Sequence, residues 1–187
     1  MNELLQRLDR DHFRLAFVLA LIEGLLDEFH EGLEPDYVVM CQLMEYLIDY
    51  ADQVHHPSED LIFNRLLEQQ GAQHALLNEL MEQHRSLSQL NRRFKESIEG
   101  IVHGEVLRRD EVEHQGRELI DRLRRHMSLE DEKAFRTAHI AFGDNEGFPG
   151  GKSRSTMHMD YLIKQPTLEV SYPDGKTRVV MKDGDPV

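Results

Sequence analysis

Apolar residues recur along the first 142 positions at alternating spacings of three and four, in four separate runs. Leu5, Leu8, His12, Leu15, Leu19, Ile22 and Leu26 form one face between about Glu3 and His30. That period is the one by which an amphipathic helix turns a single stripe toward a core. Glu31-Gly32-Leu33-Glu34-Pro35 breaks the run, glycine suiting a helix end and proline the first turn of the next. A second run, about Asp36 to Gln69, aligns Met44, Leu47, Ala51, His55, Glu59, Ile62 and Leu66, with Pro57 expected to kink or interrupt it. After Gln69-Gln70-Gly71-Ala72 a third face carries Leu77, Leu80, His84, Leu87, Asn91, Phe94, Ile98 and Ile101. His103-Gly104-Glu105 ends it, and Asp110 is expected to cap a fourth helix whose inner face is Val112, Gly116, Leu119, Leu123, His126, Glu130 and Ala134. Four amphipathic helices joined by short turns predict an all-α, up-down-up-down four-helix bundle over residues 1–142.

The pattern changes at Gly143-Asp144-Asn145-Glu146-Gly147-Phe148-Pro149-Gly150-Gly151, which cannot continue a helix. Residues 143–187 form a C-terminal tail, in which Leu168 to Tyr172 and Thr177 to Met181 flank Pro173-Asp174-Gly175-Lys176. That arrangement suits a β-hairpin, and an isolated hairpin is marginal in water unless it docks.

Composition narrows the function. A chain of 187 residues accommodates one core and a tail. Its formal charge of −13, with arginines interspersed among carboxylates, argues against a nucleic-acid surface. The richest apolar run, Phe13 to Leu26, is interrupted by Arg14 and Glu23, so no membrane span is expected. The lone Cys41 has no internal disulfide partner, and the start lacks the basic and then apolar blocks of a signal peptide, so a cytoplasmic location is expected.

Each of the four mainly apolar stripes admits one histidine: His12, His55, His84 and His126. Two of these open His-x-x-x-Glu words, His55 to Glu59 and His126 to Glu130, which place an imidazole and a carboxylate on one helical face. In antiparallel neighbours, residues at equal height lie symmetrically about the connecting turn. The midpoint of His12 and His55 falls between Leu33 and Glu34, that of His55 and His84 between Gln69 and Gln70, and that of His84 and His126 on Glu105. All three midpoints lie in the expected turns, so the four imidazoles share one layer, with each Glu about 6 Å away along its helix. A lone buried histidine is ordinarily a hydrogen-bonded core residue. Four with two carboxylates would cost several kcal/mol to bury unpartnered, a penalty a dication removes by accepting their lone pairs.

Imidazole and carboxylate ligands without thiolates suit iron, manganese or zinc. Glu59 and Glu130 could bridge two ions, with His12, His55, His84 and His126 as terminal ligands. His56 and Asp60 repeat the same spacing, so a rotated second helix would substitute them for His55 and Glu59. A ferritin-like arrangement expects two Glu-x-x-His words, and only Glu111-Val112-Glu113-His114 is present, off the inner face.

With His12, His55-x-x-x-Glu59, His84 and His126-x-x-x-Glu130 in this order, the chain resembles the hemerythrin family in its HHE cation-binding branch, over about residues 3 to 142. The resemblance implies a non-haem di-iron centre, two iron ions bridged by the two carboxylates, that reacts with dioxygen or a related small ligand. It departs from the oxygen-carrying members in two places. Leu80 stands one turn before His84 where they have a second histidine, and Glu130 follows His126 by four residues where they have an aspartate after five. The expected function is binding or sensing of dioxygen, nitric oxide or peroxide, or iron handling. An oxidoreductase or peroxidase turning over peroxide or nitric oxide, and a scaffold using the tail, are the alternatives. The redox partner is not legible.

Overall fold

The structure, a computed structural model, describes residues 3–69, 73–142, 168–171 and 178–181. Four helical arms pack side by side. The first is α1, Glu3–His30; the third is α4, His74–Val102. The second arm comprises α2, Tyr37–Tyr46, a π-helical segment, Leu47–His55, and α3, His56–Leu67. The fourth comprises α5, Arg109–Leu129, a second π-helical segment, Glu130–Phe135, and α6, Arg136–Phe142. Each arm packs on its neighbours in sequence and the first on the last, which closes a four-helix bundle. Among the described residues, no helix is long and apolar enough to cross a membrane.

The turns have identifiable chemistry. Gly32 adopts φ 85° and Gly104 φ 86°. At the first, Leu33 N–H donates to Glu28 O at 3.1 Å and Gly32 N–H to Phe29 O at 3.2 Å. At the second, Glu105 N–H donates to Gly100 O at 2.8 Å and Gly104 N–H to Ile101 O at 2.9 Å. Both are Schellman closures, in which a left-handed residue lets the chain satisfy the last carbonyls and reverse. Asp36 caps α2 by accepting from Val39 N–H at 3.0 Å, so Pro35 precedes the cap and is not in the first turn. The expected cap at Asp110 is corrected. Arg108 occupies that position, and Asp110 sits inside the first turn, ion-paired to Arg108 at 2.6 Å. There its charge complements the N-terminal end of the helix dipole.

The second arm is not the single kinked α-helix its periodicity suggests. Pro57 has no N–H to offer the carbonyl four residues back, and its ring crowds that carbonyl. The ladder ahead of it widens instead, and His56 N–H reaches back five residues to Ala51 O. Such widened turns are rare and occur frequently at functional sites. Pro57 then falls in the first turn of α3, where a missing donor costs nothing.

The apolar interior is divided in two. One cluster includes Leu15, Leu19, Ile22, Leu26, Leu43, Leu47, Leu87, Phe94, Leu119 and Leu123. The other includes Leu5, Leu8, Ile62, Phe63, Leu66, Leu77, Leu80, Ala134, Phe135 and Phe142. In every arm the polar layer predicted from the sequence lies between them: Leu8 and Leu15 flank His12, and Leu80 and Leu87 flank His84.

Beyond the bundle, Leu168–Ser171 and Arg178–Met181 pair as antiparallel strands, Leu168 opposite Met181. The turn expected between them lies outside the described residues, and the hairpin stays an expectation.

Candidate metal centre

The layer contains His12 from α1, His55 at the end of the first π segment, Glu59 from α3, His84 from α4, His126 near the end of α5 and Glu130 at the start of the second π segment. All six are buried, His12 the least so at 6% exposure. Their inner atoms converge. Glu59 Oε1 lies 3.3 Å from His12 Nε2 and 3.1 Å from His55 Nε2, while Glu59 Oε2 lies 3.4 Å from His84 Nε2. Glu130 is arranged in the opposite sense. Its Oε1 lies 3.2 Å from His84 Nε2 and 3.1 Å from His126 Nε2, and its Oε2 lies 3.5 Å from His12 Nε2. Each carboxylate thus offers one oxygen to the His12 side of the layer and one to the His84 side, the disposition a bridging ligand requires.

These close approaches are mostly not hydrogen bonds. The inner nitrogens of His12, His55 and His126, both oxygens of Glu59 and Oε2 of Glu130 are buried without a hydrogen-bond partner. Donor atoms aimed at a shared space and not at one another fit a dication, which would accept the lone pairs that burial otherwise strands. Ligand atoms of His12, His55 and Glu59 lie within 4.8 Å of one another, as do those of His56, Glu59, His84 and His126. Glu59 belongs to both sets.

Behind the imidazoles stands a set of oxygens that the sequence pattern did not disclose. His12 Nδ1 meets Asp131 Oδ1 at 2.7 Å, His84 Nδ1 meets Asp60 Oδ1 at 2.8 Å and His126 Nδ1 meets Gln83 Oε1 at 2.9 Å. His55 Nδ1 lies 3.5 Å from Asp11 Oδ2. An oxygen at Nδ1 fixes the ring orientation and leaves the Nε2 lone pair for a metal, and metal-binding histidines almost always have one. Asp60 therefore lies outside the layer as a partner of His84 and does not replace Glu59. The choice between His55 and His56 also dissolves, because the widened helix buries both, at 1% and 3% exposure.

Charge in the layer follows from this enclosure. Burial opposes a charged His12, but the hydrogen bond to Asp131 and the close carboxylates of Glu130 and Glu59 override it and raise its pKa to about 12. His84 behaves alike, burial being outweighed by Asp60, Glu130 and Glu59, and rises to about 11. His55 is raised as Glu59 and Asp11 outweigh burial. His56 goes the other way, pushed well below its usual value by burial and by the neighbouring His84. Burial opposes ionisation of Glu59 and Glu130, and Glu59 opposes that of Glu130, yet the surrounding imidazoles hold both carboxyls below the usual range. Protons on imidazoles thus neutralise the carboxylates in the role a cation would take.

Three of the remaining described histidines have other partners. His30 Nδ1 pairs with Glu113 at 2.9 Å, His103 Nδ1 with the Glu99 carbonyl at 2.8 Å and His139 Nε2 with Asp9 at 3.4 Å. An open groove between α1 and the fourth arm is lined by His12, Phe13, Asp131, Glu132, Arg136 and Ile140, among others.

The fold and this layer define a helical bundle with a buried histidine and carboxylate site. The family model for the Hemerythrin HHE cation binding domain matches residues 3–138, and the chain belongs to that family. Membership implies metal binding, with iron the expected metal. No curated protein and no solved structure matches the chain.

Proposed function

We propose that this chain is a non-haem di-iron protein that binds or senses dioxygen or a related small ligand such as nitric oxide or peroxide. The observation that carries this reading is the crossed presentation of Glu59 and Glu130, each with one oxygen toward either side of one layer. His12, His55, Glu59, His84, His126 and Glu130 would hold the ions. When bound, an iron pair supplies reversible ferrous and ferric states and open positions for a small ligand.

The polypeptide does the rest. Asp131, Asp60 and Gln83 hold the imidazoles of His12, His84 and His126 by Nδ1 and keep Nε2 directed inward, and Asp11 stands 3.5 Å from Nδ1 of His55. Leu8, Leu15, Ala51 and Leu87 are buried around the layer and restrict water and protons. Phe135 stacks on His12, with ring centroids 5.1 Å apart, and limits its tilt.

A second reading, turnover of peroxide or nitric oxide by an oxidoreductase, is favoured by one feature. The groove beside His12 is open and carries Asp131, Glu132 and Arg136 among mainly apolar walls, an approach by which a small oxidant could reach the edge of the layer. Anaerobic reconstitution with ferrous iron followed by admission of oxygen tests the first reading. It expects about two irons per chain and a new oxygen-dependent absorption band that persists as a stable adduct. Far less iron, or no band, defeats it. Multiple-turnover consumption of peroxide or nitric oxide without a stable adduct would favour the enzyme.

A further inference from the structure

We propose that His56 is a further metal ligand of this chain, donating Nε2 to the ion on the His84 and His126 side, with Asp52 as its outer partner. The proposal rests on the metal-binding reading above and adds a residue to it. Four observations converge. His56 is 3% exposed although it immediately follows the inward-facing His55, a pairing that a regular α-helix would separate by about 100°. Its ring is nearly parallel to that of His84, centroids 4.4 Å apart and planes 8° apart, and stands edge-on to His126 at 5.7 Å. One of its nitrogens lies within 4.8 Å of ligand atoms from Glu59, His84 and His126. Finally, its Nδ1 lies 3.6 Å from Asp52 Oδ1.

The last contact is longer than the hydrogen bonds behind His12 and His84, and it resembles the one behind His55, where the Asp11 carboxylate stands 3.5 Å from Nδ1. Asp52 is itself held in place, because Asn91 Nδ2 donates to its Oδ1 at 3.1 Å. Asn91 is fully buried on the inner face of α4, and this bond gives a polar residue in that stripe a purpose. A chain of side chains from Asn91 through Asp52 to His56 thus ends on the metal layer. Residue 80, one turn before His84, is the buried Leu80, so α4 supplies this side with one imidazole and the second arm supplies another. The π segment is what brings it there.

The full-length metal-free protein, titrated with ferrous iron under anaerobic conditions, provides the test. His56→Ala and His56→Gln are each expected to lose about half of the bound iron, leaving the ion served by His12 and His55. Iron K-edge absorption should show fewer imidazole scatterers per iron than a random loss of both ions would give. Asp52→Asn keeps the ring and is expected to weaken uptake of one ion by about 10- to 100-fold. Melting each protein with and without iron separates ligand from packing residue. Loss of a ligand shrinks the iron-dependent rise in Tm, whereas loss of a residue that only packs lowers both melts equally. Full iron content with unchanged imidazole scattering in both His56 variants would overturn the proposal and leave the metal-binding reading intact. A parent protein that takes up no iron would overturn both.

Discussion

His55 to Asp60 and His126 to Asp131 are two copies of one word, His-x-x-x-Glu-Asp, on opposite arms of the bundle. In both, the glutamate turns inward and the aspartate turns to an imidazole on another arm: Asp60 to His84 at 2.8 Å, Asp131 to His12 at 2.7 Å. They differ in where the helix widens. In the first the π segment ends on His55, and the word shows two consecutive imidazoles to the interior. In the second the π segment begins on Glu130, and Met127, following His126, joins the apolar cluster. The same letters deliver different donor sets because the turn is widened before one histidine and after the other.

The equivalence of the two carboxylates is the first thing to break. Glu59→Ala and Glu130→Ala each remove an oxygen from both sides of the layer, so each is expected to abolish most metal binding, measured by elemental analysis of reconstituted protein. Full retention in one variant would mean that only the other word carries the centre. The two aspartates come next. Asp60→Asn and Asp131→Asn should each weaken metal uptake by about 10- to 100-fold, read by competition with a chromophoric chelator. Unequal losses would show that His84 and His12 are not held alike.

Acidity separates the two words further. In the metal-free protein, His12 and His84 are raised from 6.5 to about 12 and about 11. Their contribution to stability is complete below pH 6.5 and declines as pH rises toward those values, because only the folded state retains the protons. Glu59 and Glu130, held below 4.5, contribute fully above that value and lose their contribution as pH falls. Metal-free protein should therefore be most stable between pH 4.5 and 6.5. Metal must displace the imidazole protons, so its stabilisation should grow with pH and the loaded protein should lack the metal-free protein's decline above pH 6.5. Thermal melts across pH check both slopes, and parallel slopes would refute the proton assignment. The smallest effect is expected at Pro57→Ala, which restores a donor where none is needed and relaxes the unfolded chain. Chemical denaturation should register a loss of about 1 kcal/mol or less.

Much of this architecture is legible in the chain because its causes are periodic. Histidines at mirrored distances from the turns that follow Gly32 and Gly104 fix the layer, and both glycines close their helices as their positions suggest. The outer oxygens are a different matter. Asp11, Asp52, Asp60, Gln83 and Asp131 serve histidines that, with the exception of His56, lie on other arms, so no spacing along one helix relates donor to acceptor. In so acidic a chain they pass for solvated surface. One signal was available: each glutamate of the two words is followed directly by an aspartate. The double inward turn at His55 and His56 escapes a period of 3.6 altogether, because the five-residue hydrogen bond that produces it breaks that period. Pro57 marks the place without stating the outcome.

A polar layer between two apolar compartments also acts as a key. Sliding any arm by one turn would move a histidine against leucines and a leucine against the carboxylates: Leu8 or Leu15 in place of His12, Leu80 or Leu87 in place of His84. Apolar side chains tolerate such shifts, since one leucine packs much like another. A buried set of donors and acceptors does not. The chemistry that prepares the bundle for a cation therefore also forbids its helices from assembling out of step.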